Sequence, residues 1–504
     1  MLSNAEALVS RFQSMDERMS QMREGVNTQI TSSVVEINSF ANEIAQINQQ
    51  IILAEGVSGG EPPNDLLDQR DDLINQLSKL INTDTVKQSD GSVNVYVGNG
   101  HAIVVGSQKL SLETIVSPDN PDNLTLGLVS ANQTIQLPED QITGGALGGI
   151  LAFRRDSLDG AQNALGRVAM TLAQTFNEQH QLGVDLNGDM GKELFTVSSP
   201  KIISASTNNA ASNITASISD FGALTTSDYQ FSYDGTNYTL TNLSDNSSVS
   251  TAVIPSGATP LTLDGLSVTG AAILPNERFL IQPTVNGAKG IAVNITDTTE
   301  IAAAGPNRTS AASTNKGTGT ISAGTVNSLP LDPNLQQPLT ITFHAPYDGQ
   351  YDVTGTGTGL PATNQAYTAG ADISFNGYAF QISGQPAAGD VFTIEPNSNG
   401  SSDNRNALLL GALQTKSTME NGTATYQATY AQLVSQIGNK TRELDVTSKA
   451  QANLLAQTEK SIQSLSGVNL DEEAANLMRF QQAFQASSKV IEISNTLFDS
   501  LLRI

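Results

Sequence analysis

Apolar residues in the first fifty positions fall at Leu8, Phe12, Met15, Met19, Met22, Val26, Ile30, Val34, Ile37, Ala41, Ile44 and Ile51, three and four apart with one gap. That spacing predicts one long amphipathic helix. Within it Ile30, Ile37, Ile44 and Ile51 recur at strict intervals of seven, the narrow seam expected of coiled-coil-like bundle packing. At 1.5 Å per residue the run spans about 66 Å, which predicts an elongated molecule. Gly56 to Pro63 reads as a linker. Asn64 is placed to cap a second helix, whose Leu66, Leu67, Leu73, Ile74, Leu77 and Leu80 form the face of a hairpin with the first.

From Val86 the period changes to two. Val93, Val95 and Val97 alternate with Asn94 and Tyr96, and Gly98-Asn99-Gly100 turns the chain into Ile103 to Val105, predicting a small strand module. A helical period returns after Gly144-Gly145, through Leu147, Leu151, Leu158, Leu165, Ala169, Leu172 and Phe176, ending near His180 and Gly183. Ser198 to Ser402 is rich in Thr, Ser, Asn and Gly with short alternating runs, an all-β signature. It also repeats. Tyr233-Asp234-Gly235 returns as Tyr347-Asp348-Gly349, and Phe279-Leu280-Ile281-Gln282-Pro283 returns as Phe392-Thr393-Ile394-Glu395-Pro396. Between these landmarks Asp264-Gly265 corresponds to Asn376-Gly377, both suited to a hairpin turn with positive φ. Two related β units are expected, joined through the low-complexity stretch Ala302 to Gly324.

After Asp403 the pattern is helical again, through Leu408, Leu413, Tyr426, Tyr430, Leu433, Ile437, Leu444, Leu454, Ile462 and Leu465, with no proline. Gly467 closes that segment, and Asn469 opens a last helix with Asp471, Glu472 and Glu473 where carboxylates favour the dipole. This helix carries Leu470, Leu477, Phe484, Ile491 and Phe498 at sevens, with Val490 and Leu497 one position earlier. Such a seam can fold back on its own bundle or pair with other subunits. The expected fold is multidomain α plus β: an elongated helical bundle built from both chain ends, with inserted all-β domains. The expected segments are 1–85 (long helix and hairpin), 86–143 (β module), 144–197 (bundle helix and turn), 198–310 and 311–402 (two outer β domains), 403–466 (bundle helices) and 467–504 (C-terminal inner helix).

Charge narrows the function. Lys plus Arg number 25 against 49 Asp plus Glu, a formal net charge of −24, which opposes binding to nucleic acid or an anionic membrane surface. No run of eighteen apolar residues offers a transmembrane helix, and charges within Met1 to Asn27 break up any secretory signal core. With no Cys and only His101, His180 and His344, thiolate and multi-histidine metal centres are not expected. Asp185-Leu186-Asn187-Gly188-Asp189 resembles the start of a calcium loop, but Met190 and Thr196 stand where an EF-hand needs Gly and Glu. A structural turn is the expectation there. Neither a catalytic residue nor a cofactor or metal ligand is assigned, and an enzyme is not expected.

The residues Val468-Asn469-Leu470-Asp471-Glu472-Glu473-Ala474-Ala475-Asn476-Leu477-Met478-Arg479-Phe480-Gln481-Gln482-Ala483-Phe484 and onward to Ile491 closely resemble the C-terminal motif of bacterial flagellar axial proteins. Asn64-Asp65-Leu66-Leu67-Asp68-Gln69-Arg70-Asp71, Gly384-Gln385-Pro386-Ala387-Ala388-Gly389-Asp390-Val391-Phe392 and Asp403-Asn404-Arg405-Asn406-Ala407-Leu408 are similar to stretches of the hook-associated branch of that family. The resemblance implies a structural subunit at the hook–filament junction, secreted through the flagellar type III export apparatus and located in the extracellular flagellum. It implies self-assembly, contact with the hook protein and the neighbouring hook-associated protein, and an export chaperone on the C-terminal helix. Subunit or chaperone contact would fall on Leu470, Leu477, Phe484, Val490, Ile491, Leu497 and Phe498. A flagellin or hook-type subunit and a surface adhesin using its β domains are the alternatives. The family's opening segment, with an Asn-Asn-Ile-Ala-Asn-like motif and a Gly-Tyr-Ser sequence, does not precede Met1, so Leu470 to Leu502 is expected to lack its inner-domain partner and to be exposed, mobile or paired with another copy.

Overall fold

The computed structural model describes the chain apart from residues 59–61, 99, 131–132, 328, 399, 468–469 and 502–504, and apart from the side chains of 57–58, 465–466 and 495–501. It divides into two units, Met1–Leu433 and Val434–Ile504.

Helix α1 (Leu2–Ser58) is 57 residues long, about 85 Å at 1.5 Å per residue. Its four isoleucines at sevens are fully buried. From Val26 onward the same stripe packs on α2 (Asn64–Leu80), α3 (Gly145–Phe153) and the strand module, against Leu77, Val95, Ile103, Leu126 and Leu147 among others. The expected hairpin of α1 with α2 forms, and the strand module and α3 complete the surface that faces the stripe. That module consists of one sheet of β1 (Thr83–Lys87), β2 (Val93–Val97), β3 (His101–Val105) and β4 (Gln108–Lys109), and a second of β5 (Ser111–Val116), β6 (Leu124–Ser130) and β7 (Gln133–Leu137). Strand β1 begins inside the segment expected to be helical, because α2 ends at Leu80 and Thr83 already pairs with Val97. Asn64 is the first residue of α2 and not its cap; Pro63 occupies the cap position, where no side-chain hydrogen bond is made.

The first turns of α1 bury Ala5, Val9 and Phe12 in a second core with α4 (Gly160–Gln181), the single turn α5 (Gly287–Gly290), α6 (Arg405–Ala412) and the start of α7 (Tyr426–Ser466). The helix expected from Leu147 to His180 is two helices joined by a π turn, Arg154–Asp159. The wide turn turns Arg154 inward, where it is 1 % exposed, pairs with Glu139 at 2.7 Å and donates to the Leu124 carbonyl at 2.8 Å. A regular helix would leave that guanidinium and those acceptors unmatched.

The β region is a structural duplication. The first unit holds β8 (Lys201–Ser204), β9 (Asn213–Ile218), β10 (Tyr229–Tyr233), β11 (Tyr238–Asn242), β12 (Ser248–Thr251), β13 (Leu261–Leu263), β14 (Leu266–Ala271) and β15 (Glu277–Gln282). The second holds β16 (Asn307–Ala311), β17 (Thr320–Ile321), β18 (Thr325–Val326), β19 (Leu339–Phe343), β20 (Gln350–Gly355), β21 (Ala362–Ala366), β22 (Asp372–Phe375), β23 (Tyr378–Ser383) and β24 (Val391–Pro396). The five-stranded orders, β12-β11-β10-β15-β8 and β21-β20-β19-β24-β16, correspond strand for strand. Each is accompanied by a smaller sheet whose hairpin turns at positive φ, at Asp264-Gly265 (49° and 76°) and at Asn376-Gly377 (50° and 73°). The repeated motifs of the sequence sit at equivalent places. Because β16 pairs with β24 from Asn307 onward, the second sheet begins earlier than the expected boundary at 310–311; the low-complexity composition there hides a paired strand.

Past Asp403 the helical run is broken between α6 and α7. Glu420, Asn421 and Gly422 all take positive φ (54°, 56° and 80°), and the Asn421 amide donates to the Gly222 carbonyl at 2.8 Å. Helix α6 has already ended at Ala412, and Gly422 belongs to the tight turn closed by the Met419–Ala424 bridge before α7 begins. Leu433, near the start of α7, packs on Ala161, Ala164 and Met19. The remainder of α7 and α8 (Leu470–Leu501) make up the second unit; the expected cap Asn469 lies outside the described residues.

Removing a buried seam side chain leaves a cavity, so Ile37→Ala lowers stability of the first unit by about 2–5 kcal/mol. Val35→Ala, on the exposed side of the same helix, stays within about 0.5 kcal/mol. Urea unfolding of the two variants distinguishes them.

Candidate functional site

No described side chain after Leu433 is buried. Helix α8 presents Leu470 at 81 % exposure, Phe484 at 74 %, and Leu477, Val490 and Ile491 at 60 % or more. Leu497 and Phe498 lie outside the described side chains. Met478, Phe480 and Ile493 are exposed beside the predicted positions, so the apolar surface is broader than a strict seven-residue seam. The heptad count missed them because it tracks one stripe, whereas α8 carries apolar residues on neighbouring stripes too. Exposed Ile437, Leu444, Leu454 and Ile462 continue the character along α7. The seam of α1, by contrast, is wholly buried within the chain.

The motifs that carried the resemblance hold pieces of the chain together. Arg405 donates to the carbonyls of Ala323 (2.7 Å) and Asn307 (2.6 Å) and pairs with Asp403 at 2.8 Å. Asp403 also accepts from the Gly305 amide and Asn397, and its pKa lies below the usual value because hydrogen bonds and the Arg405 charge outweigh the opposing effect of burial. Buried Asn406 donates to the Ala302 carbonyl at 2.7 Å and accepts from Gln179 of α4 at 2.8 Å. The segment thereby ties the second β unit to the helices. Asp390 gathers the amides of Lys316, Gly317 and Ala387, and buried Arg70 donates to the Gly91 carbonyl at the β1–β2 turn. The first β unit is tied to α4 by Asn163, which donates to Asp228 at 2.8 Å, by Arg167 to the Leu224 carbonyl, and by Thr171 to the Phe221 carbonyl. Burial pushes the Asp228 carboxyl up, against the hydrogen bonds of Gln282 and Asn163.

Three asparagines of α1 were not foreseen. Asn38 exchanges two hydrogen bonds with the backbone of Leu112, Asn48 does the same with Val93 and also reaches the Gly106 carbonyl, and Asn27 spans the Asp122 carbonyl and the Leu124 amide. A carboxamide has one donor and one acceptor face, like a peptide. These side chains therefore act as a strand partner on a helix.

The three histidines are apart. Buried His180 donates from Nδ1 to the Lys192 carbonyl at 2.6 Å and accepts at Nε2 from the Ala302 amide at 2.9 Å, which specifies the neutral ring; burial lowers its pKa. His344 lies between Asp352 (3.0 Å) and Asp348 (2.9 Å), one on each ring nitrogen, and hydrogen bonding to them raises its pKa. His101 has a long contact to Gln141 at 3.5 Å. In the 185–189 turn, Asp185 accepts from the amides of Asn187 and Asp189. Among the described residues no three His, Asp or Glu side chains form a group fit to hold a metal, and no helix is long and apolar enough to cross a membrane.

Residues 1–195 match the family described as flagellar hook-associated protein FlgK helical domain, residues 203–283 the flagellar hook-associated protein 1 D2-like domain, and residues 461–504 the flagellar basal body rod FlgEFG protein C-terminal family. Flagellar hook-associated protein 1 of Salmonella typhimurium strain LT2 is 33 % identical over all of the chain and 76 % of its own length. The protein of that name from Escherichia coli K12 is 30 % identical over the same shares. The solved structure of the flagellar hook junction protein FlgK from Burkholderia pseudomallei superposes with a TM-score of 0.78 at 34 % identity, covering 92 % of this chain and 89 % of the other.

Arg405→Ala strands the Asp403 carboxylate and two carbonyls, and a loss of about 1.5–3 kcal/mol is expected for such charge-assisted bonds; denaturant unfolding checks it. His180 and His344 should titrate on opposite sides of the ordinary histidine value near 6.5. His180 contributes stability above 6.5 that is lost as pH falls through its lowered folded pKa, while His344 contributes below 6.5 and its contribution is lost as pH rises through its raised one. Titration of the ring protons by NMR reads both.

Proposed function

The chain belongs to the flagellar hook-associated protein 1 family, and from that membership we infer that it works as a structural subunit of the bacterial flagellum at the junction of hook and filament, joining other copies and hook components through the apolar face of α8. The observation that carries the assembly reading is the apolar row from Leu470 to Ile491, exposed on a helix with no buried side chain among those described. A helix with apolar residues at this density gains little from water and much from a partner helix, at roughly 25 cal/mol for each Å² covered. Self-assembly and contact with the hook follow from the family. The flagellin-type and adhesin readings are not favoured by it.

Finer parts of the reading rest on chemistry. The face needs cover before assembly, and an export chaperone that wraps α8 supplies it. Export through the flagellar type III apparatus suits a chain without Cys, which has no disulfide to form or reduce on the way. The hook protein and the neighbouring hook-associated protein are the partners at the two ends of the junction. No catalytic role is assigned to any residue.

The test is complementation of cells lacking their junction protein with the unaltered chain or with Leu477→Asp and Phe484→Asp. Both side chains are exposed, so folding stability should change by less than about 0.5 kcal/mol. The variants are expected to be exported while filaments fail to attach and motility is lost. Normal filament attachment by exported variant would show that the α8 face is dispensable.

A further inference from the structure

The two β units share one strand order, yet their equivalent ends differ in chemistry. At the end of the first five-stranded sheet, the loops after β12, between β10 and β11, and before β15 lie side by side because those strands are neighbours. They present Val253 at 68 % exposure, Leu274 at 48 % and Ile254 at 37 %, beside the rings of Tyr233 and Tyr238 stacked at 4.1 Å. The matching loops of the second unit carry the His344–Asp348 pair and Gln385, with Tyr347 as the large exposed ring, while Asp390 there is buried against backbone amides. The shared fold does not require the apolar end.

A complementary surface exists in the same unit. Helices α1 and α3 leave a groove of about 480 Å³ lined by Met22, Gly25, Val26, Gly149, Ile150 and Phe153. Met22 and Phe153 are 46 % and 40 % exposed. A Cβ at Gly25 or Gly149 would meet no atom within 4 Å. Helical glycine is weaker than alanine, and nothing inside the chain requires either one; both leave room for a group from outside. Arg18, one turn before Met22 on the same face, has no ion-pair partner among the described residues, in a chain with nearly twice as many anions as cations. Exposed Asp234 stands in the β10–β11 hairpin, at the apolar end.

We propose that the apolar end of the first β unit, around Val253, Ile254 and Leu274, docks into the α1–α3 groove of a second copy, with Asp234 meeting that copy's Arg18. The two surfaces differ, so the contact is heterologous and propagates from copy to copy around a ring or along a helix, as a tubular junction needs. It rests on the reading that copies of the chain assemble, and adds a second contact to that made by α8.

The absence of Cys gives a clean background for crosslinking. Two full-length copies with different tags, one Gly25→Cys and the other Val253→Cys, are expressed together in cells lacking their junction protein, and isolated junctions are mildly oxidised. A disulfide joining the two tags is expected. Its yield should fall several-fold when the first copy also carries Arg18→Glu and persist with Arg18→Lys. Lack of the mixed-tag product, or Val253→Cys copies joining only each other, overturns the docking. Filament attachment in parallel cells complemented with the unaltered chain or with Leu477→Asp reports assembly through α8. If Leu477→Asp alone prevents attachment while the mixed-tag product is missing, the docking alone fails; if the product is missing and Leu477→Asp filaments attach normally, the α8 reading fails with it.

Discussion

The helical core and the small strand module of the first unit are arranged along one apolar stripe of α1 that must stay dry over most of its 57 residues. No single partner in this chain is long enough to cover it. The stripe is therefore buried in succession, first by α4, α5 and α6 around Val9 and Phe12, then by α2, α3 and the small sheets around Ile30, Ile37 and Ile44. A sheet laid against a helix exposes backbone groups at its margins, and those groups need partners once water is excluded. Asn27, Asn38 and Asn48 meet that need from the flank of the helix. The apolar stripe supplies burial energy, and the carboxamides set where along the helix the strands must sit.

The stripe and the duplication were legible in the sequence because both are periodic. Isoleucines at sevens mark a face whatever lies opposite, and two copies of Tyr-Asp-Gly and of the Phe-to-Pro strand mark two equivalent hairpins and strands. What the periodicity could not tell was the identity of the opposing surface. A seven-residue seam is as compatible with a sheet as with a second helix, since it describes one partner only. The π turn at Arg154–Asp159 was hidden for a related reason: the apolar spacing from Leu151 to Leu158 is helical either way, and only the three-dimensional position of Glu139 and the Leu124 carbonyl draws Arg154 inward. The α8 face was readable as apolar from its period alone; its exposure was an expectation of the family resemblance and not of the period, because a pattern does not say whether its partner belongs to the same chain.

The β units are joined to the helices chiefly by directional bonds. Arg405, Asp403 and Asn406 at the second unit, and Asn163, Arg167 and Thr171 at the first, each fit one arrangement of donors and acceptors. Apolar contacts tolerate sliding, whereas a buried polar contact displaced by an ångström leaves groups unsatisfied. Joints of this kind fix how each β unit sits on the helices of the first unit. They also give the charged and amide residues of these motifs a structural use: Arg405, Asp403 and Asn406 bond to backbone groups and to one another's neighbours across the joint.

Charge sets the remaining condition. Copies with a formal charge of −24 repel one another, and that repulsion keeps free subunits apart. Screening confines it to about 8 Å at physiological ionic strength, so association depends on what lies at the contact. Long-range attraction cannot gather such subunits; burial at close range can. In the assembly proposed above, an apolar α8 on an acidic chain separates two tasks: charge opposes chance encounters, and only a pairing that covers the exposed leucines and phenylalanines gains their burial. A partial or misregistered contact would keep the repulsion and forfeit the burial.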